Sequence, residues 1–230
     1  MRTKVSNKGR AQSGFTLVEI AIVLVIIGLL LGGILKGQEM ITQAKIKNVI
    51  NDFNGVTAAV NSYQDRYRAL PGDDATANVR WSTQGAVQGD GDGAIKGVYN
   101  ATSTATLTTA QESNLFWWHL RLGGFVPGAV TAGTIAAGLQ PPNATNGIIG
   151  VQSSTGGNPN LGFTSNIVCS SNLPDKIAIA VDTQMDDGTP FAGEVRGALQ
   201  TAPTPAVPAS SGTSPYAETG QNQYLLCKNL

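Results

Sequence analysis

The sequence predicts an α+β protein in which one long N-terminal α-helix is followed by a small globular head. Two observations predict the helix: residues 20–35 are apolar or glycine throughout, and no proline occurs before Pro71. A third observation predicts strands, because three short aliphatic segments near the C-terminal end are bounded by turn residues. A long helix followed by short strands places the chain in the α+β class.

The first part of the helix, residues 15–35, is long and apolar enough to cross a membrane. Its 21 residues match the roughly 20 that a transmembrane helix needs, and Glu19 is its one ionisable residue. An ionised acid inside such a span costs on the order of 3 kcal/mol and is usually kept for a partner, so Glu19 is a functional candidate. The simpler interpretation is that Glu19 only complements the positive N-terminal end of the helix.

Residues 36–68 continue the helix in amphipathic form. Their apolar side chains recur three or four residues apart, which predicts one helix from about Phe15 to about Arg68. Its first half is hydrophobic all round, and its second half has one face for a globular head. The turn residues Leu70 to Asp74 end it. The stripe consists of Ile46, Val49, Ile50, Phe53, Val56, Val60, Tyr63 and Tyr67.

Two pairs of glycines in the apolar half lie four residues apart, Gly28 with Gly32 and Gly33 with Gly37. This spacing puts small residues on a helix surface and lets a neighbouring helix approach closely, so we expect these positions to pack helices. The same glycines weaken the helix by up to about 1 kcal/mol each, which favours local unwinding.

The globular head comprises residues 69–230. A loop is predicted from Asn78 to Tyr99 and a short second helix over Glu112–Leu122. Residues 123–166 are rich in Gly, Thr and Asn and could hold only short strands. The clearer strands are 176–182, 194–199 and 223–227, and the segment 201–215, which holds four prolines, is predicted to be an exposed loop.

Charge separates residues 1–14 from the rest of the chain. They carry four basic residues and no acid, and removing them leaves 11 basic and 15 acidic side chains, a net charge of −4. A chain of that sign has no general electrostatic reason to bind nucleic acid or anionic lipid. A secretory signal peptide would be cut after the apolar run at small residues, but no Ala-x-Ala follows Leu35, so cleavage before the run fits better.

The two cysteines, Cys169 and Cys227, both lie late in the chain. An even count in a domain beyond the membrane predicts a disulfide formed in an oxidising compartment, with Cys169 before the sheet and Cys227 in its last strand. The alternative is a pair of buried free thiols. No Cys-x-x-Cys spacing is present, which disfavours a zinc site.

An acidic loop around Asp90 and Asp92 is a candidate calcium site. Its spacing matches the first half of an EF-hand loop, but Gln88 stands where the first Asp belongs and Tyr99 where the bidentate Glu belongs. Two carboxylates with backbone carbonyls could hold calcium weakly. The alternative is an ordinary Asp-Gly turn without a cofactor.

Other acids bear on the same question. Asp73 or Asp74 could complete the calcium shell if either folds nearby. Asp186 and Asp187 resemble a second acidic site, but Gly188 and Pro190 follow closely, so a tight turn is favoured there.

No catalytic pattern is present in the sequence. His119 is the single histidine, and without a neighbouring nucleophile pattern it is predicted to be structural. The aromatic run Phe116–Trp118 could form an adhesive surface, but packing on a helix in the core is favoured. The sequence therefore predicts a protein that is not an enzyme.

The block Gly14-Phe15-Thr16-Leu17-Val18-Glu19 resembles the type IV prepilin signature of type IV pilins, minor pilins and type II secretion pseudopilins. The resemblance implies that a prepilin peptidase removes residues 1–14 by cutting after Gly14 and that Phe15 becomes N-methylated. It also implies that Glu19 pairs with the terminal amine of a neighbouring subunit during assembly. Pairing a bare ammonium with a carboxylate offsets much of the cost of burying each.

The resemblance implies a pilin-like fold in which the C-terminal half of the helix packs on a small antiparallel sheet and a disulfide bounds the C-terminal region. The expected partners are copies of the chain or other pilins, the prepilin peptidase, the inner-membrane assembly machinery and, before assembly, the lipid bilayer. The precursor is expected to cross the bacterial inner membrane once, with its head in the periplasm. It would then enter a surface pilus or a periplasmic pseudopilus.

Three functions follow from these expectations. The favoured one is a structural subunit of a type IV pilus or a related filament, polymerised through its N-terminal helix. The second is a type II secretion pseudopilin, whose filament stays in the periplasm. The third, from a different class, is a single-pass anchored binding domain that never assembles.

Overall fold

The computed structural model describes residues 16–230 except 105, 110, 132, 155–157, 204 and 213. The predicted leader, residues 1–14, and Phe15 lie outside the described residues. The chain divides into two compact units, Met1–Thr42 and Gln43–Leu230. Helix α1, Leu17–Tyr67, confirms the predicted long helix close to its expected bounds.

The first unit is described from Thr16 onward and contains the apolar half of α1. No side chain from Leu17 to Leu35 is buried, and the large apolar ones are 46% exposed at Ile27 to 90% exposed at Leu17. The most apolar 18-residue window of α1 has a mean hydropathy of 2.8, so by length and composition this helix can cross a membrane. An apolar surface of this extent requires lipid or other helices around it.

The second unit forms its core on one face of α1, as the stripe predicts. Each fully buried aliphatic or aromatic side chain there stabilises the fold by about 1.5–3 kcal/mol. This face packs against one side of a sheet and against two shorter helices, with Trp117 and Leu226 among its contacts. The buried residues of α1 are Ile46, Val49, Phe53, Val56, Ala59, Val60 and Tyr63.

The sheet has four antiparallel strands in the order β1-β2-β4-β3. Its second face is covered by another apolar cluster that includes Tyr99 and Val207. Val207 is 2% exposed, so the predicted exposed loop at 201–215 is anchored to the core at this point. The strands are β1 Ile149–Ser153, β2 Asn166–Pro174, β3 Val195–Leu199 and β4 Gln223–Asn229.

The predicted second helix is confirmed as α3, Glu112–Leu122. The predicted loop 78–99 contains parts of a four-residue helix, α2, Ala77–Arg80, and a 3₁₀ turn, Ser82–Gln84. A further 3₁₀ turn covers Ile135–Gly138.

The strand predicted at 176–182 is wrong, because the structure has helix α4, Asp175–Met185, there. The apolar pattern of this segment fits a helix as well as a strand. Ile177, Ala178 and Val181 are buried, and their spacings of one and three residues place them on one face of a helix. Pro174 precedes the first turn, and the acid Asp175 favours the positive end of the helix.

The placement of Cys169 before the sheet is also wrong, because Cys169 lies within β2. This strand is interrupted by Ser and Asn, which hid it in the sequence, but it sits between β1 and β4 and most of it is buried. Cys169 lies directly opposite Cys227 of β4, and the two form the predicted disulfide. The bridge joins residues 58 positions apart.

We predict that Cys169→Ser with Cys227→Ser lowers the free energy of unfolding by about 4 kcal/mol, because the bridge closes a long loop in the unfolded chain. Denaturant unfolding of the wild type and the double variant measures this difference. Peptide mapping without reductant should recover the two cysteines in one linked peptide, and finding both thiols free would contradict the prediction.

Candidate functional site

The N-terminal end of α1 is capped by a reciprocal capping box between Thr16 and Glu19. The Thr16 N–H and hydroxyl both donate to Glu19 Oε2 at 2.8 Å, and the Glu19 N–H donates to Thr16 Oγ1 at 3.3 Å. Sequence reasoning did not identify this pair, although Thr-x-x-Glu before an apolar run is its signature. The predicted processing residues Gly14 and Phe15 lie outside the described part of the chain.

Of the four glycines predicted to pack helices, Gly28, Gly32 and Gly33 lie in the exposed, apolar part of α1, and Gly37, which is half-buried, follows it directly after Lys36. A Cβ atom added at Gly28, Gly32, Gly33 or Gly37 would meet no atom within 4 Å. Each position is thus open for another helix to approach, and helix packing there stays a prediction.

The acidic loop is held by a carboxylate from elsewhere in the chain. Asp73 is 4% exposed, and its two oxygens accept the N–H groups of Gly91 at 2.5 Å, Asp92 at 3.1 Å and Gly93 at 2.7 Å. Asp73 therefore meets the condition of folding near the loop, and its part in a calcium shell stays a prediction. Glycine is needed at 91 and 93 because the backbone has φ of 78° and 88° there.

A buried glutamate, Glu112, completes the cluster. Its carboxylate accepts the N–H groups of Asp90 at 3.0 Å and Lys96 at 2.8 Å. Burial is the main reason that the pKa of Glu112 is raised to about 7, and the negative charges of Asp90 and Asp73 add to the effect. One carboxylate oxygen from each of Asp73, Asp90, Asp92 and Glu112 lies within 4.8 Å of the others.

Lys96 already supplies a cation to this cluster. Its Nζ forms ion pairs with Asp90 and, at 2.6 Å, with Asp92. The loop and its neighbours bring four carboxylates together, but this geometry does not decide between a calcium site and an Asp-Gly turn without a cofactor. Any metal ion bound here would compete with the lysine ammonium for Asp90 and Asp92.

The second acidic group, Asp182, Asp186 and Asp187, also has carboxylate oxygens within 4.8 Å of one another. Asp182 accepts the Gly188 N–H at 3.1 Å, Asp186 accepts the Val195 N–H at 3.0 Å, and Asp187 accepts the Thr189 N–H at 2.8 Å. These bonds fix the turn between α4 and β3. The tight turn predicted there describes this geometry.

Asp74 has a different role from Asp73. It accepts the Tyr63 hydroxyl at 2.7 Å and also binds Arg80 and the Thr76 N–H. Burial raises the pKa of Asp74, but these hydrogen bonds outweigh burial and lower it. Asp74 therefore ties the end of α1 to α2.

The predicted structural role of His119 agrees with its contacts. Its Nδ1 accepts the Gly72 N–H at 3.0 Å, and its Nε2 lies 2.8 Å from the Val87 carbonyl. Burial lowers the pKa of His119 to about 4, so the neutral ring that accepts from Gly72 persists at neutral pH. The aromatic run Phe116–Trp118 is at most 2% exposed, which makes it core and not an adhesive surface.

Glu112 is the one member of the acidic cluster that sequence reasoning missed. It opens a helix, where an acid is ordinarily explained by the positive helix end, and it lies 20 residues from Asp92 in sequence. Its full burial and its bonds to a distant loop come from tertiary packing. No local pattern could have indicated them.

Weak calcium binding near Asp90 and Asp92 stays a prediction. We expect millimolar calcium to raise the melting temperature, because a ligand bound only by the folded state stabilises it. Asp90→Ala with Asp92→Ala should abolish the shift, whereas Lys96→Gln should enlarge it by removing the competing ammonium. Melts with calcium and with chelator measure these shifts.

The control for this experiment is Asp186→Ala with Asp187→Ala, which should keep the calcium shift of the wild type. An unchanged melting temperature at millimolar calcium, or an equal shift in the Asp90 and Asp92 variant, contradicts the site.

Comparison with known proteins finds one family match, at the N-terminal end of the chain. Residues 9–35 match the family model described as the prokaryotic N-terminal methylation motif. No curated protein and no solved structure matches this chain. The motif describes a pilin-like structural element and implies peptidase processing and pilin assembly in general. The chain therefore carries the type IV prepilin-like signature, as the block from Gly14 to Glu19 predicted.

Proposed function

We propose that this chain is a structural subunit of a type IV pilus or a related filament. The matched motif and the long apolar helix fit a type IV pilin-like, membrane-anchored precursor. In our proposal the precursor is inserted in the inner membrane with its head in the periplasm. It is cleaved after Gly14, N-methylated at Phe15 and then polymerised through α1.

The observation that carries the proposal is the position of Glu19 on the first turn of a helix with an apolar surface. The large side chains around it, from Leu17 to Val23, are 47–90% exposed. Lipid would solvate these side chains before assembly, and the helices of other subunits would replace the lipid afterwards. A carboxylate is costly in either place unless it has a partner of opposite charge.

The capping box leaves Glu19 able to take such a partner. Two of the three hydrogen bonds of the box end on Glu19 Oε2 and the third uses the Glu19 N–H, so Oε1 accepts no bond from the described residues. An ionised carboxylate has about four lone-pair sites, so it can cap its own helix and also bind an ammonium. The terminal amine of Phe15 in a neighbouring copy would supply that ammonium.

A type II secretion pseudopilin is the second form of the same proposal, because it would use the same helix and the same carboxylate. Where the filament is found discriminates the two forms. Labelled filaments in material sheared from the cell surface favour a pilus, and filaments retained in the periplasm favour a pseudopilus.

A single-pass anchored domain that never assembles is the alternative from another class. It would use α1 only as a membrane anchor and Glu19 only as a helix cap. A requirement for the negative charge of Glu19, beyond its ability to accept hydrogen bonds, favours assembly over this alternative.

We predict that the mature chain begins at Phe15 and that its terminal amine is methylated. The basic residues 1–14 precede the apolar run directly, and the match covers the junction. Mass spectrometry of the native N-terminus measures this. An intact Met1, or a cut after Leu35, would contradict the prepilin interpretation.

We predict that Glu19→Ala and Glu19→Gln both leave the precursor inserted and cleaved but lower polymerisation at least tenfold. Breaking a buried ion pair leaves an unpaired charge, which costs several kcal/mol. The measurement is the ratio of sheared filament to mature subunit retained in the membrane.

The glutamine variant separates the two roles of Glu19. Gln also accepts the hydrogen bonds of a capping box, so the anchor alternative predicts a wild-type ratio for Glu19→Gln. The matched control is Asp65→Asn, since Asp65 is an acid of α1 whose side chain is 85% exposed and lies 3.8 Å from Arg68. This control should assemble normally.

A further inference from the structure

Three charged side chains on the part of α1 in the second unit, Lys45, Lys47 and Asp52, form no ion pair or side-chain hydrogen bond among the described residues. Lys47 is exposed, and Asp52 is partly buried. The ion pairs and hydrogen bonds of α1 involve neither of them. Residues five apart on a helix do not face each other, so Lys47 and Asp52 cannot pair within one chain.

Asp52 is in an unfavourable position for a lone carboxylate. Burial raises its pKa, and no neighbouring charge offsets this effect. Arg121 lies on the same cavity, but its guanidinium donates to the carbonyls of Ala137 at 2.6 Å and Leu139 at 2.6 Å. Among the described residues, no ion pair or hydrogen bond joins the Asp52 carboxylate to Arg121 or to another cation.

The surface beside Asp52 can receive a long side chain. Asp52 lines a cavity of about 520 Å³ whose other walls include Val56, Phe125, Val126 and Pro142. A lysine can lay its aliphatic stem along such apolar walls while its ammonium reaches a charged group. Next to it on α1, a Cβ atom added at Gly55 would meet nothing within 4 Å, so another chain can approach the helix closely.

We propose that Lys47 of one copy binds Asp52 of the next copy, with the lysine stem in the cavity beside Asp52. The inference rests on the proposed filament. The occupant is a second copy because the charges are complementary, both lie on the helix through which the subunits would polymerise, and neither forms an ion pair with another described residue.

The offset between copies supports this pairing. If the Phe15 amine of one copy meets Glu19 of its neighbour, the two helices are shifted by four residues, or about 6 Å at 1.5 Å per residue. Pairing Lys47 with Asp52 requires a shift of five residues in the same direction, about 7.5 Å. The difference of about 1.5 Å is well within the reach of a lysine side chain.

Lys45 fits less well as the partner of Asp52. It would need a shift of seven residues, about 10.5 Å, which departs from the first offset by about 4.5 Å. Lys45 therefore serves as the matched control for Lys47.

A charge exchange in the full-length chain tests the pair. Lys47→Asp and Asp52→Lys should each lower the ratio of sheared filament to membrane-retained mature subunit by about fivefold or more, the factor that corresponds to about 1 kcal/mol. The double exchange should return the ratio to within about twofold of the wild type. Lys45→Asp should have a smaller effect, and combining it with Asp52→Lys should restore nothing.

Neutral variants keep the test decisive if Asp52→Lys misfolds. Lys47→Gln and Asp52→Asn should each lower the ratio, and together they should lower it no further than either alone, because they remove one shared interaction. Additive losses in this cycle, or wild-type ratios in both single variants, would overturn the pair.

The failure of the pair is distinguishable from the failure of the proposed function. If the wild type and the Glu19 variants behave as predicted while Lys47 and Asp52 prove independent, only the pair is rejected. If the wild type forms no filament, the proposed function fails first, and the pair fails with it.

Discussion

The structure depends on one constraint: the apolar half of α1 cannot remain in water. From Leu17 to Leu35 every side chain is exposed, and the sequence is apolar or glycine except for Glu19. Lipid or the helices of other subunits would cover this surface, and an ionised carboxylate there is costly unless it has a partner. The proposed membrane insertion, the proposed assembly and the proposed role of Glu19 all rest on this constraint.

The second unit, in contrast, buries its apolar side chains in its own core and folds as a small domain. One face of α1 fills its core, and the disulfide ties β2 to β4 at the centre of the sheet. Its long connections are fixed by buried polar groups such as Asp73 and His119. These groups hold backbone N–H groups that would otherwise be buried without partners.

Periodicity and local signals predicted the parts of the fold that depend on local sequence. The stripe from Ile46 to Tyr67 predicted the second half of α1. The segments 194–199 and 223–227 predicted β3 and β4. The segment 176–182 was misassigned because alternation and a helical face coincide over seven residues, and only packing decides between them. Strand β2 was not predicted from the sequence because Ser170 and Ser171 are not typical of a buried strand. They are buried because β2 lies in the middle of the sheet.

The residues of the candidate sites also fall into those that a local motif predicted and those that only tertiary packing brings together. Gly14, Phe15 and Glu19 lie within one block of six residues, so the motif was visible in the sequence. The cluster of Asp73, Glu112 and the acidic loop is assembled from three separate segments, and only Asp90 and Asp92 carried a local signal. The unpaired state of Asp52 is also a property of its packing, because the sequence offers several basic residues that could have reached it.

The most direct measurement of the central claim is a helical reconstruction by electron cryo-microscopy of filaments that contain this chain. The account predicts that chain density begins at Phe15, that the apolar half of α1 lies in the filament core, and that each Glu19 contacts a neighbouring terminal amine. Filaments in which this half of α1 faces solvent, or in which Glu19 has no cationic neighbour, would contradict the account.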